Sequence, residues 1–404
     1  MADRITDILL VGGGVASAAA AHELRGRGFT GSILLVGREL DPPYDRPPLT
    51  KAYLRGEHGR EEAHAHEAAW YEAREVELLT RVSVTKLDTA AHEATLSTKQ
   101  TVSYGKALVA TGAMVRRLQV DGNDLDGLHY LRAFGNADAI RAELDGARDV
   151  VCVGGSYIGC EVAASLTMLG KRVTIVMQEA QPMERGFGAQ VGAWFRQVLE
   201  THGVTVAGLD DVSRFTGDGR VSAVITAAGL ELPAQLVVLG VGVQPDVMLA
   251  RSAGLELGES GGIACDARLR TSAADVWAAG DVCEYDSVVH GRRIRVEHTE
   301  HASAQGAFVA RAILGAEEPY TEVPYFYSDL ADWASLEYVG PARTWDEEVV
   351  TGTLESGEFG VWYLEEGHVR GALSVGGGLD LDRARALITS GEGVVAADLS
   401  DAES

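Results

Sequence analysis

The sequence predicts an α/β chain with two Rossmann-like, three-layer dinucleotide-binding domains and a C-terminal α+β domain. Three observations predict it. A strand, glycine turn, helix and second strand follow one another twice; further apolar strands end in small-residue turns; and the chain changes character beyond about residue 322.

The first unit is Asp7-Ile-Leu-Leu-Val-Gly-Gly-Gly-Val-Ala-Ser-Ala, an Ala-rich helical stretch to Arg25, then Ser32-Ile-Leu-Leu-Val36. The second is Asp149-Val-Val-Cys-Val-Gly-Gly-Ser-Tyr-Ile-Gly-Cys-Glu, a helix to Leu169, then Arg172-Val-Thr-Ile-Val176. Unbroken apolar strands imply burial on both faces, as in a parallel sheet. Gly12 and Gly14 in one turn, and Gly154, Gly155 and Gly159 in the other, let the backbone approach a pyrophosphate whose charge sits on the helix N-terminus. One such turn is weak evidence, since helix–strand packing also selects glycine; two, each inside a βαβ pattern, point to two nucleotide sites.

Lys106-Ala-Leu-Val-Ala-Thr-Gly112, Leu236-Val-Val-Leu-Gly-Val-Gly242 and Asp275-Val-Trp-Ala-Ala-Gly-Asp281 read as further strands with glycine ends, the last followed by an acid. Beyond residue 322 aromatics become dense, and alternation in Glu358–Leu364 and Val369–Val375 predicts antiparallel strands with a closing helix over Asp380–Ser390. Tyr325, Phe326, Tyr327, Trp333, Tyr338, Trp345, Trp362 and Tyr363 are read as core of that domain, with Tyr327 the candidate exception. The acidic tail after Gly393 is expected to fray.

Charge and composition exclude several functions. Thirty-five basic against fifty-nine acidic side chains leave −24, which opposes nucleic-acid binding, though a local basic docking patch stays open. No apolar run is long enough for a membrane span and no secretory leader is evident, so a cytoplasmic protein without membrane contact is expected. Cys152, Cys160, Cys265 and Cys283 lack C-x-x-C or zinc-like spacing and read as buried apolar residues. No metal site is expected: His64 and His66 do not share a helical face, and Glu297-His-Thr-Glu-His301 is not an H-E-x-x-H motif.

Pro43-Tyr-Asp-Arg-Pro-Pro-Leu-Thr-Lys51 resembles the P-Y-D-R-P-P-L-S-K stretch of the FAD-dependent NAD(P)H:ferredoxin reductases of oxygenase and P450 systems, relatives of apoptosis-inducing-factor-like flavoproteins. Ala110-Thr111-Gly112, Tyr130-Leu-Arg132, Gly154 to Glu161, Thr271 to Asp281 and Arg295-Val-Glu-His298 support the likeness along essentially the whole chain. The resemblance implies a glutathione-reductase-type fold, with FAD held by residues 1–114 and 245–321, the nicotinamide cofactor by 115–244, and a C-terminal domain over 322–404. It also implies Lys51 beside the flavin N5 and O4 edge with Glu161 as its partner, these two being the candidate catalytic residues. The Glu161 carboxylate would sit on the opening turn of its helix, where the macrodipole also favours an acid.

By the same likeness Asp281, after Gly280, would meet the FAD ribityl chain. Arg46 and Arg132 would contact FAD, and Ala16, Val82, His298 and Thr299 would fall beside it. Tyr157, Ile158 and Gly242 would join the nicotinamide-side glycines. Tyr44 to Lys51 carries no cysteine, which argues against disulfide reduction.

Several positions depart from the family pattern. Arg38 and Glu39 stand where an acid usually meets the adenosine ribose. Ser156 replaces the second nicotinamide-side glycine. Met177, followed by Gln178, replaces the usual glutamate at the end of the second unit's strand; NADH is favoured over NADPH, with Arg172 and Arg185 the nearest candidates for a 2′-phosphate. Thr299 and Tyr327 stand where many members carry tryptophan. The expected function is transfer of a hydride from NAD(P)H to FAD and of single electrons to a small iron–sulfur ferredoxin, by a monomer or homodimer. Direct reduction of dioxygen or a quinone, and a redox-sensing NAD-binding flavoprotein, remain alternatives.

Overall fold

A computed structural model describes residues 2–400. The first apolar run becomes the strand Arg4–Val11, in which Ile8, Leu9, Leu10 and Val11 are all buried. It pairs in parallel with Ile33–Val36 on one side and Thr101–Val109 on the other, so that Leu10 lies between Leu35 and Leu108. Val76–Leu79 and Val276–Ala278 extend the parallel part. A strand buried on both faces needs cover on both; the helix Val15–Gly26, whose Ala16, Ala20 and Ala21 are buried, packs closely on the helix Thr299–Ile313.

Asp149–Val153 repeats the arrangement. It is the middle strand of a parallel sheet ordered Thr205–Ala207, Arg172–Val176, Asp149–Val153, Leu236–Leu239, Leu128–Tyr130. The helix Tyr157–Met168 follows its glycine turn. An antiparallel ribbon, Ala113–Val115 with Val243–Pro245, carries the chain between the two sheets. Two antiparallel additions were not anticipated: Val84–Asp88 with Glu93–Leu96, and the three strands Val212–Asp218, Arg220–Thr226 and Glu231–Pro233. Their many polar and exposed residues carry too little apolar periodicity to announce them.

The C-terminal segment forms an antiparallel sheet ordered Tyr325–Leu330, Ala334–Val339, His368–Val375, Glu358–Glu365, Glu347–Thr353, closed by the helix Leu381–Ser390. The antiparallel strands form where the alternation predicts them, and Phe359 to Leu364 is buried at every position, because both faces are covered. Phe359, Val361 and Tyr363 pack towards Phe187 and Phe195 of the helix Glu184–Thr201, while Trp362 and Leu364 pack with Ala384 and Ile388 of the closing helix. One expectation is corrected: the tail does not fray directly after Gly393, since Ala396–Ser400 is helical and Leu399 is fully buried, while residues 401–404 lie outside the described residues.

Candidate active site

Three neighbouring clefts meet between the two parallel sheets and the C-terminal sheet. The first runs along the ends of the first sheet's strands. Gly12, Gly14, Ala16, Arg38, Glu39, Arg46, Val82, Ala110, Thr111, Gly112, Arg132, Gly280, Asp281 and Thr299 all line it, as does Asp246. Gly12 has φ +122°, and a Cβ there would lie 2.1 Å from the Ala110 carbonyl oxygen, so this turn admits no side chain. The helix after it is capped by Gly14 with no side-chain acceptor and has no acid in its first turn. Its leading N–H groups therefore face the cleft uncompensated, an anion site by construction.

The ends of this cleft are braced by ion pairs. Arg132 Nη2 donates to Asp281 Oδ2 at 2.6 Å, leaving Arg132 Nε buried without a partner. Arg46 Nη2 donates to Glu39 Oε1 at 2.7 Å, and the Tyr44 hydroxyl donates to the other Glu39 oxygen. Burial alone would raise the Glu39 carboxyl, but Arg46 and the Tyr44 hydroxyl outweigh it and hold the group below the usual range. Arg38 Nη1 donates to Asp246 Oδ2 at 2.8 Å, so it meets a carboxylate of the chain itself.

The second cleft is lined by Gly154, Gly155, Ser156, Tyr157, Met177, Gln178 and Gly242, with Arg116, Arg117, Glu179, Arg185 and Asp211. Ser156 caps the following helix through its backbone only, so this N-terminus too is open to an anion. Gly159 does not line the cleft. Its Cβ would lie 1.9 Å from the Gly154 carbonyl oxygen, and its place is helix-to-strand packing. Arg172 pairs with Asp149 at the opposite end of its strand, far from Met177.

The third cleft joins these two. Ile158, Glu161, His298 and Tyr327 line it, together with Arg46, Arg132, Thr299 and Gly242 from its neighbours. Lys51 does not itself line a cleft but packs behind Glu161 and Tyr327, which do: Nζ lies 3.4 Å from Glu161 Oε1 and 3.3 Å from Asp329 Oδ2, and 4.7 Å from the Tyr327 ring centroid. Glu161 is not on the opening turn of its helix. The helix starts at Tyr157, which puts Glu161 in the second turn, where side chains rather than the macrodipole decide its charge. The Thr50 hydroxyl donates to Oε2 and the Ser328 hydroxyl to Oε1, each at 2.5 Å. Burial still pushes the Glu161 carboxyl above its ordinary range, against the pull of Lys51, Ser328 and Thr50. His298 stacks on Phe326 with ring centroids 4.0 Å apart, and desolvation lowers its imidazole to about 4.

All four cysteines are buried; desolvation raises the Cys152 thiol to about 12 and also lifts Cys160 and Cys283 well above the usual thiol range. None is among the residues lining the three clefts.

Comparison with known proteins gives the family. Residues 6–306 match the family described as pyridine nucleotide-disulphide oxidoreductase. The chain belongs to that family. Residues 325–404 match the reductase C-terminal domain. Among relatives, the 5,5′-dehydrodivanillate O-demethylase ferredoxin reductase subunit of Sphingobium sp. is 35% identical over 98% of this chain and 96% of its own. The biphenyl dioxygenase system ferredoxin–NAD(+) reductase component of Paraburkholderia xenovorans is 34% identical, again over 98% and 96%. Among solved structures, the ferredoxin reductase for the CYP199A2 system of Rhodopseudomonas palustris superposes with a TM-score of 0.93 at 29% identity, covering 98% of both chains. The putidaredoxin reductase in its covalent complex with putidaredoxin superposes with 0.92 at 31%, covering 100% of this chain and 97% of that one.

The glutathione-reductase-type fold and the use of FAD and NAD(P)H follow from this membership. Both cradles fit: two glycine turns feed helix N-termini without side-chain caps, and Arg132 keeps a buried, unpaired Nε beside Asp281. Thr50, Ser328 and Asp329 escaped the sequence reading. Thr50 and Ser328 directly adjoin residues that had been singled out, Lys51 and Tyr327, but a hydroxyl's partner across 111 or 167 residues leaves no local signal.

Proposed function

We propose that this chain takes a hydride from NAD(P)H onto FAD and hands electrons one at a time to a small iron–sulfur ferredoxin serving an oxygenase or P450. The observation that carries the proposal is the Lys51–Glu161 pair, whose Glu161 lines the third cleft, in a chain with no cysteine among the residues lining the three clefts. FAD supplies hydride acceptance at N5 and release of single electrons. The protein's part is binding, orientation and charge. The open helix N-termini after Gly14 and Ser156 favour the two pyrophosphates. Lys51 is held by carboxylates on two sides, which fixes its Nζ against Glu161, a residue that lines the third cleft. An ammonium so placed favours negative charge beside it. Glu161, anchored by two hydroxyls, sets where Lys51 can sit. Tyr327 is 40% exposed, so it connects the junction to the surface, where an acceptor protein would approach.

The relatives named above are ferredoxin reductases, which supports this reading. Among the described residues no helix is long and apolar enough to cross a membrane. We place the protein in the cytoplasm, where reducing conditions keep buried thiols free. Steady-state reduction of cytochrome c with NADH and with NADPH, with and without candidate ferredoxins, tests the function. Ferredoxin should accelerate reduction severalfold or more. Quinone or dioxygen reduction as fast as that of any ferredoxin would displace the proposal.

A further inference from the structure

The adenosine end of the second cleft is built unusually. In dinucleotide-binding folds an acid at the end of the second strand reads the ribose hydroxyls. Here that position is Met177, which is buried beneath the glycine turn: a Cβ on Gly155 would lie 2.1 Å from Met177 Sδ. Its thioether packs against the turn and offers the ribose no strong acceptor. The polar groups at this end come from its neighbours. Gln178 Nε2 donates to Asp211 Oδ2 at 2.6 Å, and Asp211 Oδ1 accepts from its neighbour's backbone, Val212 N, at 2.8 Å. Asp211 is brought there because the segment after Thr205–Ala207 runs beside the end of the Met177 strand, with Leu209 N bonded to Glu179 O and Asp210 N to Met177 O. Arg185, which follows the Met177 strand and lines the cleft, is already paired with Glu179 and reaches Gln178 Oε1 at 3.5 Å.

We infer that Asp211, steadied by Gln178, replaces the missing strand-end acid and selects NADH over NADPH. This rests on the reading that a pyridine nucleotide occupies this cleft. Each carboxylate oxygen accepts two hydrogen bonds, so Asp211 keeps one acceptor site free on each oxygen beyond Gln178 and Val212. A ribose hydroxyl can donate to those sites. A 2′-phosphate, carrying up to two negative charges, would instead meet the Asp211 and Glu179 carboxylates with Arg185 already paired to Glu179; Arg116 and Arg117 also line the cleft, Arg116 with its Nε bonded to the Val243 carbonyl.

The test is equilibrium binding of NAD+ and NADP+ to the FAD-loaded protein, with the steady-state NADH-to-NADPH ratio of kcat/KM measured alongside. Wild type should bind NAD+ at least tenfold tighter than NADP+. Asp211→Asn retains a bond from Val212 N and should fold normally, yet lower that ratio tenfold or more with unchanged FAD content; Asp211→Ala should do the same. Glu179→Gln, which releases Arg185, should tighten NADP+ severalfold. Met177→Ala should leave the ratio within twofold. Wild type that prefers NADP+, or Asp211 variants that shift the ratio less than twofold in a protein binding both nucleotides, would overturn the inference alone. A protein that binds neither nucleotide overturns the reductase reading along with it.

Discussion

Replacing Lys51 by Met removes a positive charge from a nearly dry site, and the size of the effect can be worked out. Lys51 Nζ faces Glu161 at 3.4 Å and Asp329 at 3.3 Å, and its side chain is only 12% exposed. Breaking a buried pair of this kind costs about 3–5 kcal/mol, mostly because the remaining charge is left uncompensated. Glu161 has an escape, since it can take up a proton. At pH 7.5 that costs at most about 4 kcal/mol, set by the distance from an ordinary glutamate value near 4.3, and about 1.4 kcal/mol less for each pH unit lower. Burial has already raised the carboxyl, and removing Lys51 raises it further.

The sign follows from that shift. A carboxyl whose folded value exceeds its unfolded one favours the native state below the unfolded value, and that advantage is lost as pH rises through the folded value. The Lys51→Met penalty should therefore be largest near pH 8 and shrink towards pH 5. Urea unfolding of the FAD-loaded protein at pH 5.5, 6.5 and 8, wild type against variant, measures it. In a Glu161→Gln background the pH dependence of the Lys51→Met effect should largely vanish. A penalty that is the same at all three pH values would refute the coupling of Lys51 to Glu161.

Three further outcomes are expected. Ser328→Ala leaves Glu161 Oε1 with Lys51 alone and should cost about 1–3 kcal/mol, read from the same urea curves; a loss under a few tenths would mean the bond contributes nothing. Gly12→Ala forces a Cβ to within 2.1 Å of the Ala110 carbonyl oxygen, so the purified protein should carry much less FAD per chain by its visible-to-ultraviolet absorbance ratio; full flavin content would show that the turn can relax. Iodoacetamide at pH 8 should leave NADH-dependent activity intact, because all four cysteines are buried and the thiols of Cys152, Cys160 and Cys283 are shifted up. Rapid inactivation with labelling of any of them would put a thiol back into the chemistry.

What the sequence made legible follows a physical divide. Strands such as Ile8–Val11 and Val150–Val153 are buried on both faces, so their apolar runs and the glycines after them are visible without coordinates. The C-terminal strands were legible as strands, but their burial on both faces was not. Glycine and mixed residues in Glu358–Glu365 imitate alternation, while the cover on the second face comes from the helix Glu184–Thr201, remote in sequence. Lys51 and Glu161 were reached through the motif around them, whereas Thr50, Ser328 and Asp329 acquire meaning only once three distant segments meet. Met177 was recognised as a departure, but its place under Gly155, and the arrival of Asp211 beside Gln178, depend on a strand crossing no local pattern records.

The carboxylate in the second helical turn takes its partners from residues 50–51 and 328, and the lysine it faces takes its other counter-ion from residue 329. A chain emerging from the ribosome thus owns both nucleotide cradles before it owns the charge arrangement between them. The strand Tyr325–Leu330 completes the arrangement, so a chain cut before it would keep both glycine turns yet lose the Ser328 bond to the carboxylate and the Asp329 contact to the lysine.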